Sequence, residues 1–184
     1  MSDEELETLS ERDKEIHACL ERAANVVQQA FLKLLRAAIL THCVCDEAFV
    51  GMEPLFKELI TGILLDVHYE EVRVTMKEPL RKTTLVVQGK ETCNSPGYYH
   101  DSVRVTSQTS GKRWYLDLTG SQFGIDEPLW SAEKYHNFVD EVTLVADWGG
   151  QSNKEVLEET EGLDPEWFEV RREATKKVFE AFGR

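Results

Sequence analysis

A chain of 184 residues with 41% hydrophobic content can bury one sizeable core, so a single domain spanning 1–184 is expected. Its 34 acidic against 21 basic residues leave a net charge of −13, which repels nucleic acid and anionic membranes and leaves basic or neutral partners. No apolar run approaches the ~18 residues of a membrane span, and the four cysteines, two of them one residue apart, do not resemble a disulfide framework.

The opening Met1-Ser2-Asp3-Glu4-Glu5-Leu6-Glu7 lacks the positive and apolar regions of a secretory signal, so a cytoplasmic location is expected. Residues 12–40 then carry Ile16, Leu20, Ala23, Val27, Ala30, Phe31, Leu34, Ala38 and Ile39 on or near one stripe. That spacing predicts a long amphipathic helix packed on the core, or a homodimer contact through the same face. The segment Thr41-His42-Cys43-Val44-Cys45-Asp46-Glu47-Ala48 follows. From Cys45 onward, Ala48, Phe49, Met52, Phe56, Leu59 and Ile60 form a second stripe, which places Cys45 at a helix start and facing inward. Cys43 is off that stripe, since its i+3 and i+4 neighbours are Asp46 and Glu47. A thiol at a helix N-terminus is stabilised as thiolate by the partial positive charge there, and a nearby imidazolium adds to the effect. Gly51 and Pro54 predict a kink in this helix, and Gly62 its end.

Strand character is predicted for 63–75 and 83–87, with Lys77-Glu78-Pro79-Leu80-Arg81-Lys82 between them and a loop over 89–97. Next come Tyr99-His100-Asp101-Ser102-Val103-Arg104-Val105 and Arg113-Trp114-Tyr115-Leu116-Asp117-Leu118-Thr119, two β-rich runs flanking a polar turn. With the turn at 107–110, Thr106 faces Gly111 and His100 faces Asp117. Cross-strand partners lie roughly 4.5–5.5 Å apart at Cβ, close enough for a carboxylate to hold an imidazole. A histidine held by a carboxylate is half of a nucleophile-activating triad, and Cys45 is the candidate nucleophile. Leu129 and Trp130 lead into a short turn or helix at 131–135, a strand is predicted over 141–146, and 148–153 reads as a linker. Asp164 and Pro165 mark a helix start, predicting a C-terminal helix over 165–182 that buries Trp167, Ala174, Val178 and Phe182.

The order Cys45, helix, a strand beginning at His100 and a strand ending in Asp117-Leu118-Thr119 resembles the transglutaminase-like branch of the papain-like cysteine hydrolase superfamily. Asp117-Leu118-Thr119-Gly120-Ser121-Gln122-Phe123-Gly124 is similar to a D-x-T-x-x-Q-F segment of small members of that fold. The likeness covers about residues 40–145, and Ser102 stands where many members carry an aromatic. It implies an α+β papain-like (transglutaminase-like) fold, with N-terminal helices packed on an antiparallel sheet and the C-terminal helix as an addition. It also implies a Cys45-His100-Asp117 triad that forms an acyl-enzyme and passes it to water or to an amine. The expected substrate is a peptide, amide or acyl thioester, approaching past Tyr98, Tyr99, Gln122, Phe123 and Trp130, with Gln122, Trp130 and Tyr99 as substrate-binding residues.

Two other readings compete. His42, Cys43, Cys45 and Cys93 offer four zinc-type ligands, but Cys-x-Cys without a second Cys-x-x-Cys is a poor zinc spacing, so no metal is expected. No P-loop, dinucleotide fingerprint, G-x-S-x-G elbow or H-E-x-x-H occurs, and no cofactor is expected. A catalytically degenerate member of the fold, serving as an interaction module through the 12–40 helix, is the alternative from another class.

Overall fold

The computed structural model describes residues 8–38, 52–53, 55–82, 84–87, 90–93 and 96–147. Cys43, Cys45, Gly51, Pro54 and the expected 165–182 helix lie outside them. Helix α1 (Glu11–Ala38) follows the predicted stripe, with Ile16, Leu20, Ala23, Val27, Ala30 and Phe31 all buried. Ser10 starts it by a reciprocal exchange in which its Oγ accepts the Asp13 N–H at 3.1 Å and donates to Asp13 Oδ2 at 2.8 Å. Residues 52–53 and 55–59 are also helical, and Met52, Leu55, Phe56 and Ile60 join the same apolar layer as α1.

A 3₁₀ turn, Thr61–Ile63, comes next, and strand β1 (Val67–Met76) begins only after it. The strand expected from residue 63 is thus shorter at its start. Asp66 N–H donates to the Ile63 carbonyl at 2.9 Å, so the apolar residues 63–65 are spent on a turn that leaves Leu65 90% exposed. Strands β2 (Thr84–Val87) and β3 (Lys90–Cys93) pair as a separate antiparallel ribbon. The second of these occupies part of the expected 89–97 loop. Lys90-Glu91-Thr92-Cys93 has no apolar alternation, and its extended conformation goes with its cross-strand pairing to β2.

The remaining strands are β4 (Tyr99–Ser107), β5 (Arg113–Leu116), β6 (Leu129–Ser131) and β7 (Val139–Asp147). With β1 they form a five-stranded antiparallel sheet in the order β6-β5-β4-β1-β7. The protein is therefore α+β, with α1 packed on an antiparallel sheet. Directly paired residues share a face, so the β1–β4 register divides the side chains cleanly. Val67, Tyr69, Val103 and Val105 turn toward α1, together with Trp114 and Leu116 of β5. Val72 and Val74, paired with Ser102 and His100, turn the other way together with Met76 and meet Tyr115, Phe123, Ile125, Tyr135 and Val139. Two cores result, one on each side of the sheet. Asp13 joins the first to the hairpin turn by accepting from Ser110 Oγ at 2.8 Å. Burial alone would raise the Asp13 carboxyl, but hydrogen bonds from Ser10, Ser110 and Ser107 outweigh it and hold the group below its usual value.

Candidate functional site

The β4–β5 hairpin pairs Thr106 with Arg113, Val105 with Trp114, Arg104 with Tyr115 and Val103 with Leu116. Ser107 N–H closes it on the Lys112 carbonyl at 2.8 Å. The turn therefore lies at 108–111, one residue beyond the expected 107–110, which moves the pairing on β5 by two residues, and His100 is not directly opposite Asp117. A shift of two residues preserves side-chain parity, whereas a shift of one would have reversed it. His100 and Asp117 therefore still share a face and meet diagonally, just beyond the last β5 pair.

Their contact is close and dry. His100 Nε2 lies 2.8 Å from Asp117 Oδ1 and 2.9 Å from Oδ2, with both side chains 0% exposed. The carboxylate is held by two further donors: Thr119 N–H at 3.2 Å to Oδ1 and Tyr135 O–H at 2.8 Å to Oδ2. Asp117 N–H itself donates to the Pro128 carbonyl at 2.8 Å. A carboxylate in this setting only accepts, so the imidazole proton on this side belongs to Nε2, and Nδ1 is the basic nitrogen of the neutral ring. The Phe123 ring covers the imidazole at 4.8 Å between centroids.

The chain from Asp117 to Gly124 explains how this is built. Asp117 ends β5 and caps the N–H two residues on, the habit of aspartate at turns. Leu118 turns into the α1 layer. Gly120 approaches so closely that a Cβ there would sit 2.8 Å from both Asp117 Cγ and Oδ2 and 2.9 Å from the Ile125 carbonyl. The 3₁₀ turn Gly120–Phe123 delivers Phe123 to the histidine and ends at Gly124, whose φ of 87° suits glycine. Arg81 clasps the outside of this turn, donating to the Ser121 carbonyl at 2.6 Å and to Asp126 at 3.2 Å. The Thr119 hydroxyl makes no hydrogen bond among the described residues.

Tyr135 was not singled out by the sequence reading. It lies on the short helix Ala132–Tyr135, fully buried and stacked on Tyr115 at 4.5 Å with 14° between the ring planes. Burial first, then the charge of Asp117, push its phenol well above the ordinary value, so it stays protonated and donates. A lone tyrosine beside Trp130 and Phe138 was the available signal, because a buried phenol needs an acceptor.

Of the expected substrate-binding residues, Trp130 pairs with Tyr115 on the His100 side of the sheet and stacks edge-on against Phe138 at 5.1 Å. Gln122 is half-buried in the 3₁₀ turn. Tyr99 is exposed and, as the neighbour of His100 on β4, belongs to the opposite side-chain set. Cys45, Cys43 and His42 lie outside the described residues, as does the Cys93 side chain. Among the described residues no group of three His, Cys, Asp or Glu is placed to hold a metal. No described helix is long and apolar enough to cross a membrane. Compared with family models, curated proteins and solved structures, the chain matches none.

Proposed function

We propose that this protein is a thiol-dependent hydrolase or acyl transferase of papain-like architecture, acting on an amide or thioester through Cys45, His100 and Asp117. The observation that carries the reading is the His100–Asp117 pair, with Nε2 committed to the carboxylate and the ring held in one tautomer. In this mechanism Nδ1 takes the Cys45 proton, and the sulfur adds to the carbonyl carbon. The proton then goes to the departing amine or thiol, leaving a thioester on Cys45. Water or an amine releases the acyl group. Asp117 orients the ring and stabilises the imidazolium. A basic flanking group on the substrate would be drawn by the net charge of −13.

The fold sets a condition on this chemistry. Residues 52–60 pack on the α1 side of the sheet, whereas His100 faces the other side. The mechanism therefore requires Cys45 to meet His100 on the face of the sheet opposite the one that Met52, Leu55, Phe56 and Ile60 pack against.

A second reading has its own observation. His100 and Asp117 are wholly buried, and a working base has to meet its substrate. That favours a polar core inside a non-catalytic interaction module. Alkylation of single-cysteine proteins across pH separates the two. The enzyme reading expects Cys45 to react with an apparent pKa well below the free value of about 8.5, and His100→Ala to remove that advantage. Slow alkylation of Cys45 at every pH, unaltered by His100→Ala, favours the interaction module.

A further inference from the structure

The described part of the molecule holds a phenol, a carboxylate and an imidazole in series, and only the last two were legible in the chain. Tyr135 O–H reaches Asp117 Oδ2 at 2.8 Å, and the same carboxylate holds His100 Nε2 at 2.8 and 2.9 Å. We propose that Tyr135 is a positioning residue that sets the basicity and orientation of His100 through Asp117. This role rests on His100 being the working base of the reading above.

Three features make the phenol suited to it. Its ring cannot turn away, because Tyr115 stacks on it and it is buried on a helix whose next turn is fastened to β1. Phe138 N–H donates to the Tyr135 carbonyl at 2.9 Å, and Lys77 N–H donates to the Phe138 carbonyl at 2.9 Å. Its hydroxyl has a compelling acceptor, since a charge-assisted O–H bond to a carboxylate is about twice as strong as a neutral one. Its proton is secure, because burial and the neighbouring carboxylate both oppose ionisation.

The coupling has a definite sign. Each donor on Asp117 withdraws charge from the oxygens that hold the imidazole. Removing the phenolic donor leaves a more strongly accepting carboxylate, which draws harder on the Nε2 proton and stabilises the imidazolium. The titratable groups nearest His100 in this layer are Asp117 at the end of β5 and Tyr135 from the short helix, with Tyr115 stacked behind and His136 edge-on to Tyr115. Arg104 and Glu70 lie further along the same face of β4 and β1, paired with each other. Arg73 and Asp101 pair with each other in the alternate set on β1 and β4 and do not enter this layer.

The test reads the imidazole directly. In the full-length protein, the His100 Nε2–H resonance and the ring titration are followed by NMR in the wild type, in Tyr135→Phe and with 3-fluorotyrosine placed at 135. Tyr135→Phe keeps the stacked ring and should move Nε2–H downfield. It should also raise the titration midpoint by about half a pH unit, roughly three-fold in proton affinity. Fluorination sharpens the phenol as a donor and should move both signals the other way. That sign reversal is something a purely space-filling tyrosine would not produce, and it remains readable if Tyr135→Phe fails to fold. Coincident spectra for His100 in the wild type and the fluorinated protein overturn the proposal. Shifts of the expected sign with no change in Cys45 alkylation support Tyr135 as the positioning residue while removing the thiol reading of its target.

Discussion

Along strand β4, Val103 and Val105 enter the layer beneath α1, where Trp114, Leu116, Leu20 and Phe56 pack by apolar contact. His100 and Ser102 enter the layer on the other side, where imidazole, carboxylate and phenol share hydrogen bonds away from water. The two layers are stabilised by different physics. In the first, each side chain contributes its own burial and its own share of close packing, so damage is local and graded. In the second, each group depends on a partner, and removing one strands the others in a medium that cannot solvate them. A dense apolar core and a buried polar network can therefore have similar stability while failing in different ways.

The largest expected effect probes that contrast. Asp117→Leu leaves the Nε2–H and the Thr119 N–H without their acceptor and deprives the Tyr135 hydroxyl of its carboxylate partner, and should cost about 3–5 kcal/mol. Trp114→Ala in the dry layer should cost a similar 3–5 kcal/mol or so, from lost burial and the cavity left behind. The layers part in double variants. Adding His100→Leu to Asp117→Leu should recover at least about 1 kcal/mol, because one stranded donor disappears. Leu20→Ala with Leu116→Ala should recover nothing. Urea unfolding of the singles and doubles measures both, and simple additivity in the polar layer would erase the distinction.

A smaller loss is expected from Gly120→Ala. The added methyl meets the Asp117 carboxylate and the Ile125 carbonyl, neither of which is a flexible side-chain end, so about 1–3 kcal/mol should be lost along with a displaced His100 resonance. A variant as stable as the wild type would mean that the turn after Asp117 has slack.

The dry layer contains its own titratable group. His17 lies on α1 with its ring 6.3 Å from Trp114, and burial holds its pKa below the usual 6.5, with Glu21 opposing in part. The unfolded chain therefore takes up this proton first. This contribution to stability is intact above pH 6.5 and is lost progressively as pH falls below it, toward the depressed folded value. His17→Gln should flatten the acid side of the stability profile below about pH 6.5. Parallel curves for the variant and the wild type in denaturant titrations would reject this assignment.

The smallest effect is expected at Arg81, whose ion pair with Asp126 is exposed on both sides. Arg81→Ala should cost under about 1 kcal/mol, weakening further as salt screens the pair. Loss of amide-exchange protection confined to 121–125 would identify Arg81 as a local clasp. A cooperative loss across β4 would instead tie it to the polar layer.

What could be read from the chain depended on the range of the forces involved. The α1 stripe was legible because burial of one helix face repeats every three to four residues, and Ile16, Leu20 and Val27 are all buried as that spacing requires. The hairpin was legible from alternation and its polar turn, although the turn lies one residue further on and the pairing on β5 is shifted by two. The error left His100 and Asp117 together because side-chain parity survives an even shift. The strand β3 was missed because Lys90-Glu91-Thr92-Cys93 carries no local signal and is extended in a pairing with β2. Tyr135 was missed for a similar reason, since its acceptor lies 18 residues away in sequence.

The sequence by itself determined the long helix, the hairpin and the residue types able to orient an imidazole, because these follow from local periodicity and side-chain chemistry. Only the tertiary structure decided which side of the sheet the His100–Asp117 pair faces and what else the carboxylate holds. Those outcomes follow from strand order and register, which bring β1, β4, β5 and the 117–138 segment together, and no local pattern encodes contacts made across that distance.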